Sequence, residues 1–264
     1  MFHNTGLTGC GAIALPWELL VSPVKGIKRV RPRDDLGKLI TRGIEDCGIG
    51  LEDGDVVVVT QKVVSKSEGR LVKLKDITPS RRARTLAAEL GKDPRLVEAV
   101  LKESRRIVRK GHGVLITETR HGFVCANSGV DQSNVEKGWL TLLPVDPDGS
   151  ARKLRKHLEK ATGKRLAVVI TDTFGRPWRE GQTDVAIGCS GISPLQKLAG
   201  ETDPFGYTLR STEPAIVDEI AGASELVMKK LSLVPVVIVR GVSYSRSDRG
   251  VKSIVRKRRL DLFR

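Results

Sequence analysis

Val168-Val169-Ile170-Thr171-Asp172-Thr173-Phe174-Gly175-Arg176 is an apolar run that breaks off in small and polar residues. It reads as a buried strand delivering one carboxylate to a loop at its end. Upstream, Ala126-Asn127-Ser128-Gly129-Val130-Asp131-Gln132-Ser133-Asn134 sets a second aspartate among small residues. A lone loop aspartate is more often a cap or a turn residue. Two in matched contexts, with hydroxyls and amides beside them, suit an oxygen-ligated divalent cation that holds phosphate groups. Brought together as carboxylates they would repel unless a cation lay between them. Thr173 can add a hydroxyl ligand.

The rest of the chain supplies the frame for that strand. Val56-Val57-Val58-Val59 is a continuous β-branched run of the kind buried on both faces of a sheet, entered through the turn Asp53-Gly54-Asp55. It empties into Thr60-Gln61-Lys62-Val63-Val64-Ser65-Lys66, where Lys62 and Lys66 can act as point charges for phosphate. Residues 19–24 can start a strand. Asp34-Asp35-Leu36 opens a helix whose face is Leu36, Ile40, Ile44 and Cys47, with acid at its N-terminus and Gly48 and Gly50 to end it. Thr78-Pro79 reads as a cap followed by proline at the first helical position, with Gly91 at the far end, and Asp93-Pro94 opens a second helix through Glu103. Residues 107–116 and 123–126 read as strands. Asp146-Pro147 opens a basic helix ending near Gly163. A strand over 166–170, a helix over 214–230 and a buried strand over 234–239 follow.

These elements mix without strict β-α-β alternation or internal repeat. The class is α+β, mixed β-sheets with packed helices, in one compact domain or two intimately packed lobes. Residues 1–18 read as an N-terminal extension, 19–251 as the domain and 252–264 as a basic tail.

Composition narrows the function classes. Twenty-seven glycines against five Phe, three Trp and two Tyr in 264 residues fit a turn-rich enzyme better than a helical bundle or a β-sandwich. No apolar run approaches the roughly 18 residues of a membrane span, and the opening stretch lacks a basic n-region and a clean small-residue cleavage site. Cys10, Cys47, Cys125 and Cys189 form no C-x-x-C pair, which argues against a disulfide framework or a zinc site, so the expected compartment is a reducing cytoplasm. Cys125 reads as a small core residue.

The net charge of +15 concentrates anions: phosphorylated small molecules, nucleic acid or an acidic surface. The cluster Lys252, Arg256, Lys257, Arg258 and Arg259 carries no interleaved aromatic residues. It is a solvated tail or a binding strip for anionic ligands or RNA. No P-loop is present, since Gly163-Lys164 precedes Arg165, and G-x-G-x-x-G, H-E-x-x-H and G-x-S-x-G are also missing. Arg176 and Arg179, flanking Pro177-Trp178, form a possible anion clamp. His121 is a base, a ligand or a turn residue.

At these residues the sequence resembles the coenzyme F420:gamma-glutamyl ligases, which add L-glutamate to the lactyl-phosphate side chain of a deazaflavin coenzyme. The resemblance is carried by residues 54–69 (GDVVVVTQKVVSKSEG), 116–135 (ITETRHGFVCANSGVDQSNV) and 168–188 (VVITDTFGRPWREGQTDVAIG). Asp203-Pro204-Phe205-Gly206, residues 217–228 and 234–241 also match, so that it spans roughly residues 20–243. It implies a GTP-dependent ligase that activates the acid as an acyl phosphate on F420-0. It implies that Asp131, Asp172 and Thr173 bind divalent metal, Mg²⁺ or Mn²⁺, with K⁺ as a further ion. It implies GTP contacts from Gln61, Lys62, Lys66 and Asn134, and from two segments: Ile27, Lys28, Arg29 and Val30, then Met228, Lys229, Lys230, Leu231, Ser232, Leu233, Val234 and Pro235. It also implies a homodimer acting on L-glutamate.

Two positions depart from the family pattern. Arg33 stands before Asp34-Asp35 where the family usually has glycine. Lys229 and Lys230 follow Met228 where some members carry a glutamine that binds a second metal, and a protonated lysine has no acceptor to replace it. The readings set against the ligase are a related GTP- or metal-dependent ligase or phosphohydrolase on another acid, and a basic nucleic-acid-binding protein.

Overall fold

Val56, Val57, Val58 and Val59 are each fully buried and form the axis of the largest sheet. The computed structural model describes residues 18–262, so Cys10 and the expected N-terminal extension, apart from Glu18, lie outside the described residues. In chain order the elements are β1 (Leu20–Pro23), α1 (Leu36–Asp46), β2 (Val56–Thr60), α2 (Gln61–Ser67) and β3 (Leu71–Lys73). Next come α3 (Arg81–Leu90), α4 (Pro94–Glu103), β4 (Ser104–Gly111), β5 (Val114–Thr119), β6 (Val124–Ala126) and β7 (Trp139–Thr141). The chain continues with α5 (Pro147–Thr162), β8 (Ala167–Arg176), β9 (Arg179–Ser190), α6 (Ile216–Met228) and β10 (Val236–Arg240). Short 3-10 turns lie at Val251–Ile254 and Arg258–Leu260.

The large sheet has the order β1-β10-β2-β8-β9. Its β2–β8 pair is parallel, ending with Thr60 opposite Thr171, and the other neighbours are antiparallel. Side chains alternate along β2, so both faces of the sheet are filled. Val57 and Val59, with Val168 and Ile170, pack against Ile40 of α1 and Leu158 of α5. Val56 and Val58, with Val169 and Val237, pack against Val217, Ile220 and Met228 of α6. Each such valine contributes about 1.5–3 kcal/mol by leaving water. α5 sits very close to β9, because a Cβ at Gly188 would lie 2.5 Å from the Pro147 carbonyl. That approach lets Asp148 accept the Cys189 N–H at 2.9 Å and the Val251 N–H at 2.8 Å.

A second core belongs to the other lobe, where Leu86, Val97 and Val100 of α3 and α4 meet Leu115 and Leu140. Two small antiparallel sheets, β3-β7 and β4-β5-β6, complete it. The molecule is α+β, as its residue pattern indicates.

Several local expectations change. The strand expected over 107–116 is a hairpin, β4 and β5, because His112 and Gly113 turn the chain through positive φ (47° and 71°). The helix cap expected at Thr78 is Ser80, whose Oγ accepts the Ala83 N–H at 3.2 Å, so Pro79 precedes the cap and does not occupy the first turn. The stretch after β2, to which the sequence pattern assigns no element, is a helix, α2. Asp172 lies inside β8, which runs on to Arg176 in register with β9. The expected α6 and β10 segments shorten to Ile216–Met228 and Val236–Arg240.

Candidate functional site

Parallel pairing sends β2 and β8 out of the sheet at the same end. Thr60 and Thr171 are opposite each other there, so α2 begins beside the Asp172 segment. A cavity of about 460 Å³ opens at that end. Its walls come from α2 (Gln61, Lys62, Lys66), from β8 and β9 (Thr171, Asp172, Thr173, Asp184) and from α6 with the turn after it (Glu225, Met228, Lys229, Lys230). Leu233, Val234 and Pro235 close one side, Ile27, Lys28, Arg29 and Val30 another, and Asn134 and Val135 reach in from the second lobe.

Charge in the cavity is organised in pairs. Lys62 Nζ lies 2.7 Å from Asp131 Oδ2, and Ser133 donates to the same carboxylate from its N–H (2.8 Å) and its hydroxyl (2.7 Å). Burial raises the Asp131 pKa, but the Lys62 and Ser133 hydrogen bonds win and hold it below its usual value. Lys66 Nζ donates to the Asn134 carbonyl at 2.6 Å. Burial, with Arg29 and Lys62 nearby, lowers the Lys66 pKa, which marks a place where an anion would be welcome.

The opposite wall is acidic. Burial pushes the Asp172 carboxyl up to about 7, against the Thr173 backbone N–H and the Lys62 charge, and the carboxylates of Asp184 and Asp131 push the same way. Asp184 faces Thr173 across the β8–β9 ladder and accepts its hydroxyl at 2.7 Å. Burial, and then Asp184, raises Glu225. The Thr171 hydroxyl and the Gln61 side-chain amide nitrogen are buried without a hydrogen-bond partner.

An all-oxygen donor set with mutually repelling carboxylates and an orphaned hydroxyl fits a hard divalent cation. Among the described residues no three His, Cys, Asp or Glu side chains are gathered into a ready-made metal shell. A divalent cation held here would therefore rely on few protein carboxylates, as Mg²⁺ commonly does. Asn134, Lys229 and Leu233, all non-glycine, border the cavity with φ of 57°, 46° and 55°. Backbone held in that region costs about 1–3 kcal/mol per residue and gathers at functional sites.

The family model for F420-0:gamma-glutamyl ligase matches residues 26–241. The coenzyme F420:L-glutamate ligase of Methanothermobacter thermautotrophicus is 49% identical over 244 residues, covering 91% of this chain and 97% of that protein. The enzyme of the same name from Methanopyrus kandleri is 45% identical over 251 residues (93% and 98%), and that of Methanosarcina mazei 42% over 243 (91% and 93%). The chain belongs to the F420-0:gamma-glutamyl ligase family.

Within this F420-0:gamma-glutamyl ligase fold, most residues singled out from the sequence converge on one cavity. Leu231 and Ser232 are the members of the 228–235 segment that do not line it, and Asp131 enters through its ion pair with Lys62. Lys230 lines the cavity as a donor, its Nζ 3.0 Å from Gln182 Oε1. Arg176 and Arg179 do not line it. They flank the exposed β8–β9 turn, where Arg176 donates to the Glu180 carbonyl at 2.7 Å. His121 is a turn residue, its Nε2 within 2.9 Å of the Pro144 carbonyl.

The acids Asp184 and Glu225 and the hydroxyl Thr171 were not anticipated. A signal for Asp184 was present: it precedes the apolar half of β9 as Asp172 follows the apolar half of β8. Glu225 had none, since one acid on a helix face is ordinary.

Proposed function

We propose that the chain is a GTP-dependent ligase joining L-glutamate to F420-0 through an acyl phosphate. The carrying observation is the cavity at the β2–β8 end, where two lysines from α2 face a carboxylate group on β8, β9 and α6. The relatives from Methanothermobacter thermautotrophicus and Methanopyrus kandleri bear the name coenzyme F420:L-glutamate ligase and align over nearly their whole length.

The chemistry follows from what a carboxylate lacks. Its leaving group would be oxide, so the acid must first be activated. An acceptor carboxylate oxygen attacks the γ-phosphorus of GTP, the bond to the bridging oxygen breaks and GDP leaves. The glutamate amine then attacks the acyl carbon, phosphate departs with the bonding pair, and the ammonium proton passes to solvent or a nearby base. Protein groups in such a reaction chiefly position reactants and neutralise phosphate charge.

Lys62 and Lys66 would hold phosphate oxygens, and Asn134 and the 228–235 turn would hold the nucleoside. Asp131, Asp172 and Thr173, with Asp184 beside them, would hold Mg²⁺ or Mn²⁺, which when bound would supply positive charge to offset that of the phosphates. Lys230 cannot serve as a ligand for a second cation. K⁺ as a further ion, a homodimeric assembly and a cytoplasmic location complete the reading.

The test is purified protein with GTP, Mn²⁺ or Mg²⁺, L-glutamate and F420-0, followed by mass spectrometry of the coenzyme. The expected product carries added glutamyl mass with matching GDP release. GDP release stimulated by a different acid, with no glutamyl product, would reassign the acceptor.

A further inference from the structure

Lys73 and Trp139 are paired across β3 and β7, and the Lys73 ammonium lies 4.8 Å above the indole ring. Around them opens a second cleft, of about 570 Å³, lined by Lys73, Lys75, Arg95, Gln132, Lys137 and Trp139. Arg95 is held by Asp93 at 2.6 Å. Lys73, Lys75 and Lys137 have no carboxylate partner among the described residues.

One loop, residues 131–138, separates this cleft from the nucleotide cavity. Asn134 and Val135 line the cavity, while Gln132, Lys137 and Gly138 line the cleft. Both acids of the loop are engaged on the cavity side: Asp131 with Lys62 at 2.7 Å, and Glu136 with Arg29 at 3.3 Å. The loop thereby sorts charge. Its two acids pair with Lys62 and Arg29 on the cavity side, and the cleft keeps three ammoniums and an indole face.

An indole face stacks a planar ring, and ammoniums pair with phosphate or carboxylate. The nucleotide already has a cavity. In the proposed reaction the remaining large reactant is the acid acceptor, which must present its carboxylate where the nucleotide phosphates lie. We propose that this cleft docks the acid acceptor, a planar ring compound with an anionic side chain, whose carboxylate reaches over loop 131–138 toward the nucleotide. The assignment rests on the ligase reading above and adds where the acceptor sits.

The test uses Lys75→Glu combined with Lys137→Glu, and separately Trp139→Leu. In steady state with F420-0, GTP, L-glutamate and Mn²⁺, the charge-reversal variant should raise KM for F420-0 on the order of tenfold, with KM for GTP and kcat within about twofold. Trp139→Leu should lose the part of the protein's fluorescence quenching by F420-0 that the parent shows without GTP. Calorimetry with GDP and Mn²⁺ should give parent-like binding in both variants, showing that the nucleotide cavity is intact.

An unchanged KM for F420-0 overturns the cleft assignment and leaves the ligase reading standing. If the parent itself shows no turnover, the ligase reading fails and calorimetry with F420-0 alone decides. Binding that weakens in the charge-reversal variant supports the cleft, and equal binding or none overturns it. Binding of a single-stranded RNA oligomer that the same variant abolishes, with F420-0 binding unaffected, also overturns it and makes the cleft a nucleic-acid surface.

Discussion

Lys62 Nζ and Asp131 Oδ2, 2.7 Å apart, join the helix that follows the central strand of one lobe to a loop of the other. Asp131 is also tied to the second lobe by paired backbone hydrogen bonds with Thr141, at 3.0 and 2.8 Å. The ion pair therefore sets the distance across the cavity mouth as well as its charge.

Replacing Lys62 by methionine keeps the aliphatic stem and removes the charge. The pair is partly open to solvent, with side-chain exposures of 22% and 38%, so its net contribution to stability is at most about 1 kcal/mol. The melting temperature should barely move, whereas GDP affinity and turnover should fall, turnover on the order of 10²-fold. Calorimetry with GDP beside a thermal melt checks this, and parent-like affinity would place the phosphates away from α2.

Asp172→Asn removes charge from the acidic wall while keeping the shape. The parent should melt higher with Mg²⁺ or Mn²⁺, by about 2.7 kcal/mol of stabilisation at a hundredfold excess over Kd, and chelation should reverse the gain. The variant should lose most of that response, and its turnover should drop on the order of 10²–10³-fold. An equal cation response in the variant would remove Asp172 from the ligand set.

Asp55 is 1% exposed, and its carboxylate takes two hydrogen bonds from Arg240, at 2.8 and 2.7 Å, and one from the Glu52 N–H at 2.8 Å. The contact ties the start of β2 to the end of β10. Asp55→Ala removes these three hydrogen bonds while Arg240 keeps the Glu52 carboxylate and the Gly50 carbonyl, at 2.6 Å, so denaturant unfolding should show a loss of about 1–3 kcal/mol. A loss below about 1 kcal/mol would show that water replaces the carboxylate.

Burial raises the Asp218 carboxyl above its ordinary value of 3.8, against the Ala186 N–H that donates to it at 2.9 Å. The folded protein therefore holds this proton more tightly than the unfolded chain. The resulting stability is fully present below the unfolded pKa and is lost as pH rises through the raised folded value. Asp218→Asn keeps an acceptor for Ala186 but has no proton to lose. Its melting temperature should fall less than the parent's from about pH 4 upward. Parallel profiles would mean that Asp218 ionises as freely when folded as when unfolded.

Much of this fold is legible where capping chemistry is strong. Asp93-Pro94 and Asp146-Pro147 mark the starts of α4 and α5, and Gly91 and Gly163 end α3 and α5 at φ of 63° and 70°. The four-residue spacing of Leu36, Ile40 and Ile44 marks α1. What escapes is short or one-sided. α2 is seven residues with no side-chain cap, too brief to show a period. β9 has an exposed polar half before its buried one, so alternation is absent where the strand begins. The anchoring residues of the candidate site could be read because each ends or follows an apolar strand. Asp184 leaves a weaker signal, because it stands before the apolar half of its strand and only the β8–β9 register brings it opposite Thr173.

β10 lies between β1 and β2, and among the described residues β1 has no other neighbour in the sheet. During synthesis, then, β1 emerges early and waits for the last of the described strands before it can pair. Until Val236–Arg240 is made, β2 also presents an open edge of four valines. Pairings this distant in sequence form slowly. In that interval the chain carries an unpaired apolar strand of the kind that templates aggregation. Closure of the sheet by β10 is therefore the step at which the nascent chain ceases to need protection.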